Sequence, residues 1–192
     1  MPTRVCLRRP TGAWLSALAR SRAAAPVSGV PDHLDGPCPH GMARNAGDGR
    51  VGAWPDDFTA ARNALRALRM FEVGWMAAAG DAEVGVGTNV AVTARVLGCW
   101  WGDVCRVTRV LDEPERAGFV YATLRGHRML GAERFLVERR DDAVWFELRA
   151  DARPDAPLAR LGWPLVRAMQ RRFARDAVAA MARAVRHLGA RS

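Results

Sequence analysis

The stretch from Leu158 to Leu188, LARLGWPLVRAMQRRFARDAVAAMARAVRHL, decides how the rest of the chain is organised. Apolar residues recur in it at every third or fourth position, which is the spacing of one face of an α-helix. They are Leu158, Leu161, Leu165, Met169, Phe173, Ala177, Ala180, Ala184 and Leu188. The pattern predicts one long C-terminal helix, and its apolar stripe requires a second layer to cover it.

The covering layer is predicted in the middle of the chain, where segments rich in Val, Phe, Trp and Tyr are separated by Gly, Asp or Pro. The candidate strands are Phe71–Trp75, Thr88–Leu97, Asp103–Leu111, Gly118–Leu124, Glu133–Arg139 and Ala143–Ala150. Their connections are shorter than the dozen or more residues that a parallel crossover needs, so an antiparallel meander is expected. The predicted fold class is therefore α+β, with a meander curled around the long C-terminal helix in a helix-grip arrangement. The space between sheet and helix is then either core or a cavity.

The N-terminal part of the chain is patterned more weakly. A short amphipathic helix is expected within residues 11–25, and a second helix is expected from Phe58 to about Arg69. The many Pro, Gly and Asp residues from Pro26 to Pro55 predict irregular structure. We therefore expect residues 1–50 to be a partly irregular N-terminal extension and residues 51–192 to form a single helix-grip domain.

Charge and cysteine usage narrow the class of protein. All 29 basic residues are arginine, and the absence of both lysine and isoleucine is typical of a GC-rich genome. Residues 158–192 carry eight arginines against one acid, so much of the net charge of +9 is placed on the predicted helix. The four cysteines form no CxxC pair and have no histidines at zinc spacing, so neither a metal nor a cofactor is expected. No apolar run reaches the ~18 residues of a membrane span, and the cytoplasm is the expected location.

Several segments, in order along the chain, resemble one family. They are LRMFEVGW at 68–75, LGCWW at 97–101, CRV at 105–107, GFVYATL at 118–124, GH at 126–127, ERFLVE at 133–138, RP at 153–154, PLVR at 164–167 and QRRFARD at 170–176. This pattern is similar to the domain-of-unknown-function family nineteen-ninety. The resemblance implies a START-like, Bet-v-like helix-grip fold but no established catalytic residue, and plant relatives include a chloroplast outer-envelope protein. The chain departs from the family pattern at Arg125, Ala132 and Ala152.

Six side chains on or beside the candidate strands are expected to line the space between sheet and helix. A His with a carboxylate can serve as acid and base, Arg can hold an anion, Tyr can donate a hydrogen bond, and Trp can form an apolar wall. Adjacent strand residues point to opposite faces, so only one tryptophan of the Trp100-Trp101 pair can lie inside. The candidate ligand-binding residues are Trp75, Trp101, Arg106, Tyr121, His127 and Glu133.

Three classes of function are compatible with these patterns. The first, which we favour, is a binding module that holds a small hydrophobic or amphipathic ligand between sheet and helix. The second is an enzyme that uses His127, Glu133, Tyr121 and Arg106 in the same space. The third is a peripheral interaction protein that binds an anionic membrane or nucleic acid through an Arg-rich helix face, formed by Arg160, Arg167, Arg171 and Arg175. Nucleic acid is disfavoured as a partner because aromatic residues do not interleave with these arginines.

Overall fold

A computed structural model of the chain describes residues 5–29 and 35–189. Within these residues eight strands form one sheet: β1 (Val5–Cys6), β2 (Ala43–Ala53), β3 (Met76–Gly80), β4 (Asn89–Val96), β5 (Cys99–Asp112), β6 (Arg116–Thr123), β7 (Met129–Arg140) and β8 (Ala143–Pro154). The helices are α1 (Gly12–Arg20), α2 (Phe58–Arg66), α3 (Pro157–Leu161) and α4 (Trp163–Gly189), with a 3-10 turn at Arg69–Phe71. The strand order is β2-β8-β7-β6-β5-β4-β3, and β1 pairs with the start of β5.

The sheet is the antiparallel meander that the short connections predicted. Each strand from β3 to β8 pairs with the next one along the chain, and β2 closes the other edge against β8. The long strand β5 curls the sheet, because its first half pairs with β4 and its second half with β6, with a register shift between Val107 and Arg109. The predicted helix-grip fold is confirmed.

The two faces of the curled sheet are covered by different helices. The inner face packs against α2, the 3-10 turn and the C-terminal part of α4, around a core that includes Phe71, Phe135 and Phe173. The outer face near β4 and β5 packs against α1, whose Leu15 and Leu18 are buried. The apolar alternation of β4 explains this arrangement, since Val90 faces the inner core whereas Ala91 faces α1.

The predicted single helix from Leu158 to Leu188 is two helices. Gly162 separates α3 from α4, and Pro164 occupies the first turn of α4. Proline is tolerated in a first turn but not in a helix interior, because it lacks the N–H that a continuous helix would need there. The apolar period continues through the break, so periodicity alone did not reveal it.

The predicted strand Phe71–Trp75 is also wrong. The chain forms a 3-10 turn at Arg69–Phe71 and bends through Gly74, which has a φ of +79°, before β3 begins at Met76. Left-handed backbone of this kind suits glycine and interrupts a strand. The aromatic composition of the segment reflects burial in the core, where Phe71 is almost fully enclosed.

Irregular structure was predicted from Pro26 to Pro55, and this is wrong for Ala43–Ala53. Those residues form β2, an eleven-residue strand that pairs with β8 along its length. Its sequence, ARNAGDGRVGA, is poor in β-formers, and two of its glycines allow α4 to come close. A Cβ at Gly47 would lie 2.9 Å from the Cβ of Ala174, so the glycine reflects helix contact and not a loop. The expected boundary at residue 50 falls inside β2.

Candidate functional site

A cavity of about 480 Å³ lies between the inner face of the sheet and the N-terminal half of α4. Most of its wall is apolar, and this part is supplied by β3, β4 and the helix. Typical wall residues are Trp75, Val92, Ala94, Leu165, Met169 and Phe173. The cavity is therefore open volume inside the helix grip, of the size that small-molecule sites usually have.

The apolar stripe of α3 and α4 has two parts, one that packs against the sheet and one that faces the cavity. Phe173 is 6% exposed and packs in the core, whereas Leu165 is 46% exposed and Leu158, on α3, is 61% exposed. The C-terminal part of the stripe thus touches the sheet directly, and the N-terminal part faces the open space. Apolar side chains that face a cavity retain accessible surface that a packed core would remove.

The cavity wall includes an exposed apolar residue with a strained backbone. Leu97, in the two-residue turn between β4 and β5, lines the cavity, is 91% exposed and has a φ of 49°. Asn-Gly is the usual sequence for a turn with two positive φ values, and leucine is unfavourable there. Both the exposure and the backbone conformation of Leu97 therefore cost stability. Together with Leu158 it places an apolar rim at the opening.

The deepest polar group in the cavity is the pair Tyr121 and Glu133. These residues are directly opposite each other on β6 and β7, and the Tyr121 hydroxyl donates a 2.6 Å hydrogen bond to Glu133 Oε2. Tyr121 also packs edge-on against Phe135, with 5.5 Å between ring centroids. The pair is thus held rigidly, with the rest of the Glu133 carboxyl facing the cavity.

Glu133 is half-buried by accessible surface because it lines the cavity, but protein atoms crowd its carboxyl closely enough to desolvate it. Burial raises the pKa of Glu133 from 4.5 to about 7, although the hydrogen bond from Tyr121 lowers it. Burial, followed by the charge of Glu133, raises the pKa of Tyr121 well above 10. The carboxyl of Glu133 can therefore accept or release one proton near neutral pH, while the phenol of Tyr121 stays protonated.

A second polar group lies closer to the mouth, around Cys105 and His127. The backbone N–H of Met129 donates to His127 Nδ1 at 2.9 Å, which assigns the proton of the neutral ring to Nε2. His127 Nε2 lies 3.8 Å from the Cys105 sulfur. Burial, and then the charges of Asp103 and Glu133, raise the pKa of the Cys105 thiol well above 9.0. Cys105 is thus a thiol and not an activated nucleophile.

Arg128 and Asp103 complete the polar wall at the mouth. Arg128 Nε lies 3.1 Å from Asp103 Oδ2, and the same guanidinium donates to the Gly102 carbonyl at 2.9 Å. It also stacks over Trp101, with 5.1 Å to the ring centroid. The positive charge of Arg128 is therefore matched by a carboxylate and held against an aromatic ring.

Five of the six candidate residues line the cavity: Trp75, Trp101, Tyr121, His127 and Glu133. The sixth prediction, Arg106, is wrong in its placement. Arg106 donates to Asn89 Oδ1 at 2.9 Å and to the Ala23 carbonyl at 2.7 Å, which fastens the sheet to the chain after α1. Trp100 is likewise on the outer side, where Arg9 lies over its ring.

The alternation of side chains along β5 explains why Arg106 lies outside the cavity and why two cavity residues were missed by the sequence prediction. Trp101, Asp103 and Cys105 are two residues apart on β5 and all three line the cavity. Arg106 has the opposite parity and therefore faces outwards. Trp101 was already among the candidates, and counting every second residue from it along the strand identifies Asp103 and Cys105 and excludes Arg106.

The Arg-rich face of α4 is partly engaged within the protein. Arg167 donates to the Arg44 carbonyl and to Gln170 Oε1, both at 2.8 Å. Arg172 pairs with Asp176, which also accepts a 2.8 Å hydrogen bond from Trp75 Nε1. These contacts hold Trp75 in the cavity wall and reduce the number of cations that the face presents to a partner.

Neither a metal cluster nor a membrane-spanning helix is present in residues 5–29 and 35–189. In that part of the chain, no three His, Cys, Asp or Glu side chains are grouped to hold a metal ion. Among the same residues, no helix is both long enough and apolar enough to cross a bilayer.

Comparison with known proteins places the chain in a family. The model described as Domain of unknown function (DUF1990) matches residues 21–180. A UPF0548 protein from Deinococcus radiodurans is 38% identical over 192 residues, covering 93% of this chain and 97% of the relative. Among solved structures, TTHA0849 from Thermus thermophilus has a TM-score of 0.57 at 12% identity, covering 74% of this chain and 97% of that one. The hypothetical protein jhp0584 from Helicobacter pylori has a TM-score of 0.54 at 12% identity, covering 95% and 97%. These structures share the fold, while the family match and the Deinococcus relative show that the chain belongs to the uncharacterised DUF1990 family.

Proposed function

We propose that this protein binds a small hydrophobic or amphipathic molecule in the cavity between sheet and α4. The observation that carries the proposal is the cavity itself, with about 480 Å³ of open volume inside an otherwise packed fold. Binding sites for small molecules are typically apolar clefts of ~300 to 1,000 Å³ with a few convergent polar groups. Tyr121, Glu133 and His127 are such groups, and they converge from two strands and a loop.

The cost of keeping the cavity open supports the same proposal. Leu97 and Leu158 keep large apolar surfaces in water at the mouth, and Leu97 does so with a positive φ. Tighter packing of α3 and the start of α4 against the sheet would bury more apolar surface and stabilise the fold. An apolar ligand recovers this energy, because it covers the same side chains when it binds.

The direct test is native mass spectrometry of protein purified from its own host, followed by identification of any retained molecule. Ala94 lines the cavity, so Ala94→Phe should fill part of it and abolish retention. Ala179→Phe, on an exposed position of α4, is the matched control and should retain the molecule. Retention by both variants would place the molecule outside the cavity. Absence of any retained molecule, combined with failure to bind neutral apolar probes, would contradict the proposal.

A catalytic use of the same cavity is the second candidate, and one observation favours it. The Glu133 carboxyl, with a pKa of about 7, can accept or release a proton at physiological pH. An enzyme would convert the molecule that it retains, whereas a binding protein would return it unchanged. Incubation of the purified protein with its identified ligand, followed by mass analysis, separates the two functions, with Glu133→Gln as the inactive reference.

A further inference from the structure

The cavity has two walls of different chemistry. β3 and β4 supply apolar groups, and so does α4 except at Gln170. Most polar groups lie on β5, β6 and β7 and the loop between β6 and β7, with Asn45 of β2 in addition. Asp103, Cys105 and Glu133 lie close enough that both acids affect the Cys105 thiol. A bound amphipathic molecule therefore has one side on which its polar end can be placed.

Hydrogen bonding within this polar wall is incomplete at Glu133. Its Oε2 atom accepts from Tyr121 at 2.6 Å, but in the described part of the chain no side chain or backbone group donates to Oε1. An enclosed carboxyl oxygen without a donor is costly, and the opening towards the cavity is where a donor can approach. When the carboxyl is ionised, the geometry thus presents an acceptor to whatever occupies the cavity.

The charges near Glu133 indicate which polar groups of a ligand this wall can bind. Across residues 5–29 and 35–189, Glu133 forms no ion pair with an arginine or histidine. The one arginine that the described residues place in the cavity wall, Arg128, is paired with Asp103 and stacked over Trp101. This part of the wall therefore lacks an uncommitted cation that could bind an anionic group.

Building on the proposed binding function, we propose that the polar end of the ligand is a hydrogen-bond donor, a hydroxyl or a protonated amine, that reaches Glu133 Oε1. With Glu133 ionised, the same wall rejects amphipathic carboxylates. A carboxylate would lose its hydration and face the ionised carboxyl of Glu133, and like charges in an enclosed site oppose binding. A donor instead completes the hydrogen bonding of Glu133 while its tail covers Val92, Met169 and Phe173.

A carboxylate could enter only in the opposite orientation, with its head at the mouth beside Arg128. That orientation requires displacement of Asp103 from a 3.1 Å contact, and it places an apolar tail against Glu133 Oε1. The first change costs Asp103 its ion pair with Arg128, and the second leaves Glu133 Oε1 without a donor. The two orientations predict opposite preferences among head groups, so they can be separated by experiment.

The experiment uses three probes with one tail and different heads: 1-decanol, decylamine and decanoate. Binding is measured by calorimetry and by displacement of the neutral dye Nile red, at pH 6 and pH 8. We expect decanol and decylamine to bind at least about tenfold more tightly than decanoate at pH 8. Decylamine should tighten by about tenfold from pH 6 to pH 8, because its charged head prefers the ionised Glu133, whose pKa is about 7.

Glu133→Gln should remove the pH dependence of decylamine binding and reduce the discrimination against decanoate. Glu138→Gln is the matched control on the same strand, since Glu138 pairs with Arg116 and Arg140 outside the cavity, and it should behave as wild type. Thermal melts confirm that both variants fold, and the pH series on wild-type protein tests the inference without any variant.

Equal or tighter binding of decanoate would overturn this inference and leave the proposed binding function intact. Failure of Nile red and all three probes would overturn the binding function itself.

Discussion

Tyr121 and Glu133 are directly paired across β6 and β7, and the tyrosine hydroxyl donates a 2.6 Å hydrogen bond to the glutamate. The bond opposes the effect of burial, which raises the pKa of Glu133 to about 7. The carboxyl is thus kept at the balance point between its neutral and charged forms at physiological pH. This balance has consequences for stability that can be measured without knowing the ligand.

The stability of the protein should depend on pH through Glu133. The pKa of its carboxyl is raised from 4.5 to about 7 in the folded state, so the folded chain holds this proton more tightly than the unfolded chain. The resulting stabilisation is complete below about pH 4.5 and is lost as the pH rises through 7. We expect wild-type protein to lose on the order of 2 to 3 kcal/mol between pH 5 and pH 8 relative to Glu133→Gln. Urea melts across this range measure the difference, and parallel curves for the two proteins would contradict it.

Tyr121→Phe should raise the pKa of Glu133 further, because the hydrogen bond from the hydroxyl lowers that pKa in the wild type. The variant should also lose about 1 to 3 kcal/mol at pH 8, where an ionised, enclosed carboxylate would lack its donor. The loss should be smaller at pH 5, where the carboxyl is neutral. Carbon-13 NMR of the Glu133 carboxyl gives the titration directly. A midpoint that stays in place or moves to lower pH would show that the bond does not stabilise the charged form.

Phe173→Ala should destabilise the fold by ~3 to 5 kcal/mol. Phe173 is buried and stacks on Phe71, with 5.2 Å between ring centroids. Leu165→Ala, on the same helix stripe, should cost less than ~1 kcal/mol, because Leu165 faces the cavity and is 46% exposed. Denaturant melts of the two variants test the division of the stripe, and equal losses would mean that the whole stripe is packed.

Deletion of residues 1–49 should leave a molten or insoluble protein. It removes α1, whose Leu15 and Leu18 are buried against the sheet, and the part of β2 that pairs with β8 before residue 50. Loss of β2 would also uncover the edge of β8 and the side of α4 that contacts β2. Deletion of residues 1–9 is the control, because among the described residues it removes β1 and preserves Thr11, which caps α1. Circular dichroism and amide NMR spectra distinguish folded from molten protein, and a well-dispersed spectrum of the longer deletion would refute this expectation.

Arg167→Gln should cost about 1 to 2 kcal/mol, since its guanidinium donates to the Arg44 carbonyl and joins α4 to β2. Arg171→Gln and Arg175→Gln, at exposed positions of the same helix, should change stability by less than about 0.5 kcal/mol. The three single variants are compared by thermal melts and by co-sedimentation with anionic vesicles. Salt-sensitive vesicle binding that Arg171→Gln and Arg175→Gln both weaken would favour the Arg-rich helix face as a membrane contact.

Local patterns in the chain were sufficient for most of the sheet and for the helix that closes it. Alternation on β4 placed Val90, Val92, Ala94 and Val96 on one face, and the structure places all four towards the core or the cavity. Short connections determined the antiparallel order, because a two-residue turn such as Asp141-Asp142 can join only neighbouring antiparallel strands. These features depend on residues that are close in sequence, so they can be read from it.

Other features depended on contacts between distant residues. β2 is a strand because β8 supplies hydrogen bonds to a glycine-rich segment, and no local propensity indicates this partner. The helix break at Gly162 lies inside a continuous apolar period, so it became visible only with the backbone path. Arg106 was predicted to hold an anion in the cavity. Its position on β5 instead places its side chain on the outer face of the sheet, where it donates to the Ala23 carbonyl after α1.

The cavity itself is the clearest feature decided by tertiary structure. The sequence determined that Leu165, Met169 and Phe173 lie on one helix face, but an apolar side chain has the same hydrophobicity whether it meets a packed core or open volume. Only the angle and distance between α4 and the sheet decide which residues touch. The raised pKa of Glu133 has the same origin, because it arises from enclosure by residues of several strands and from a tyrosine twelve positions away that the register of β6 and β7 brings into contact.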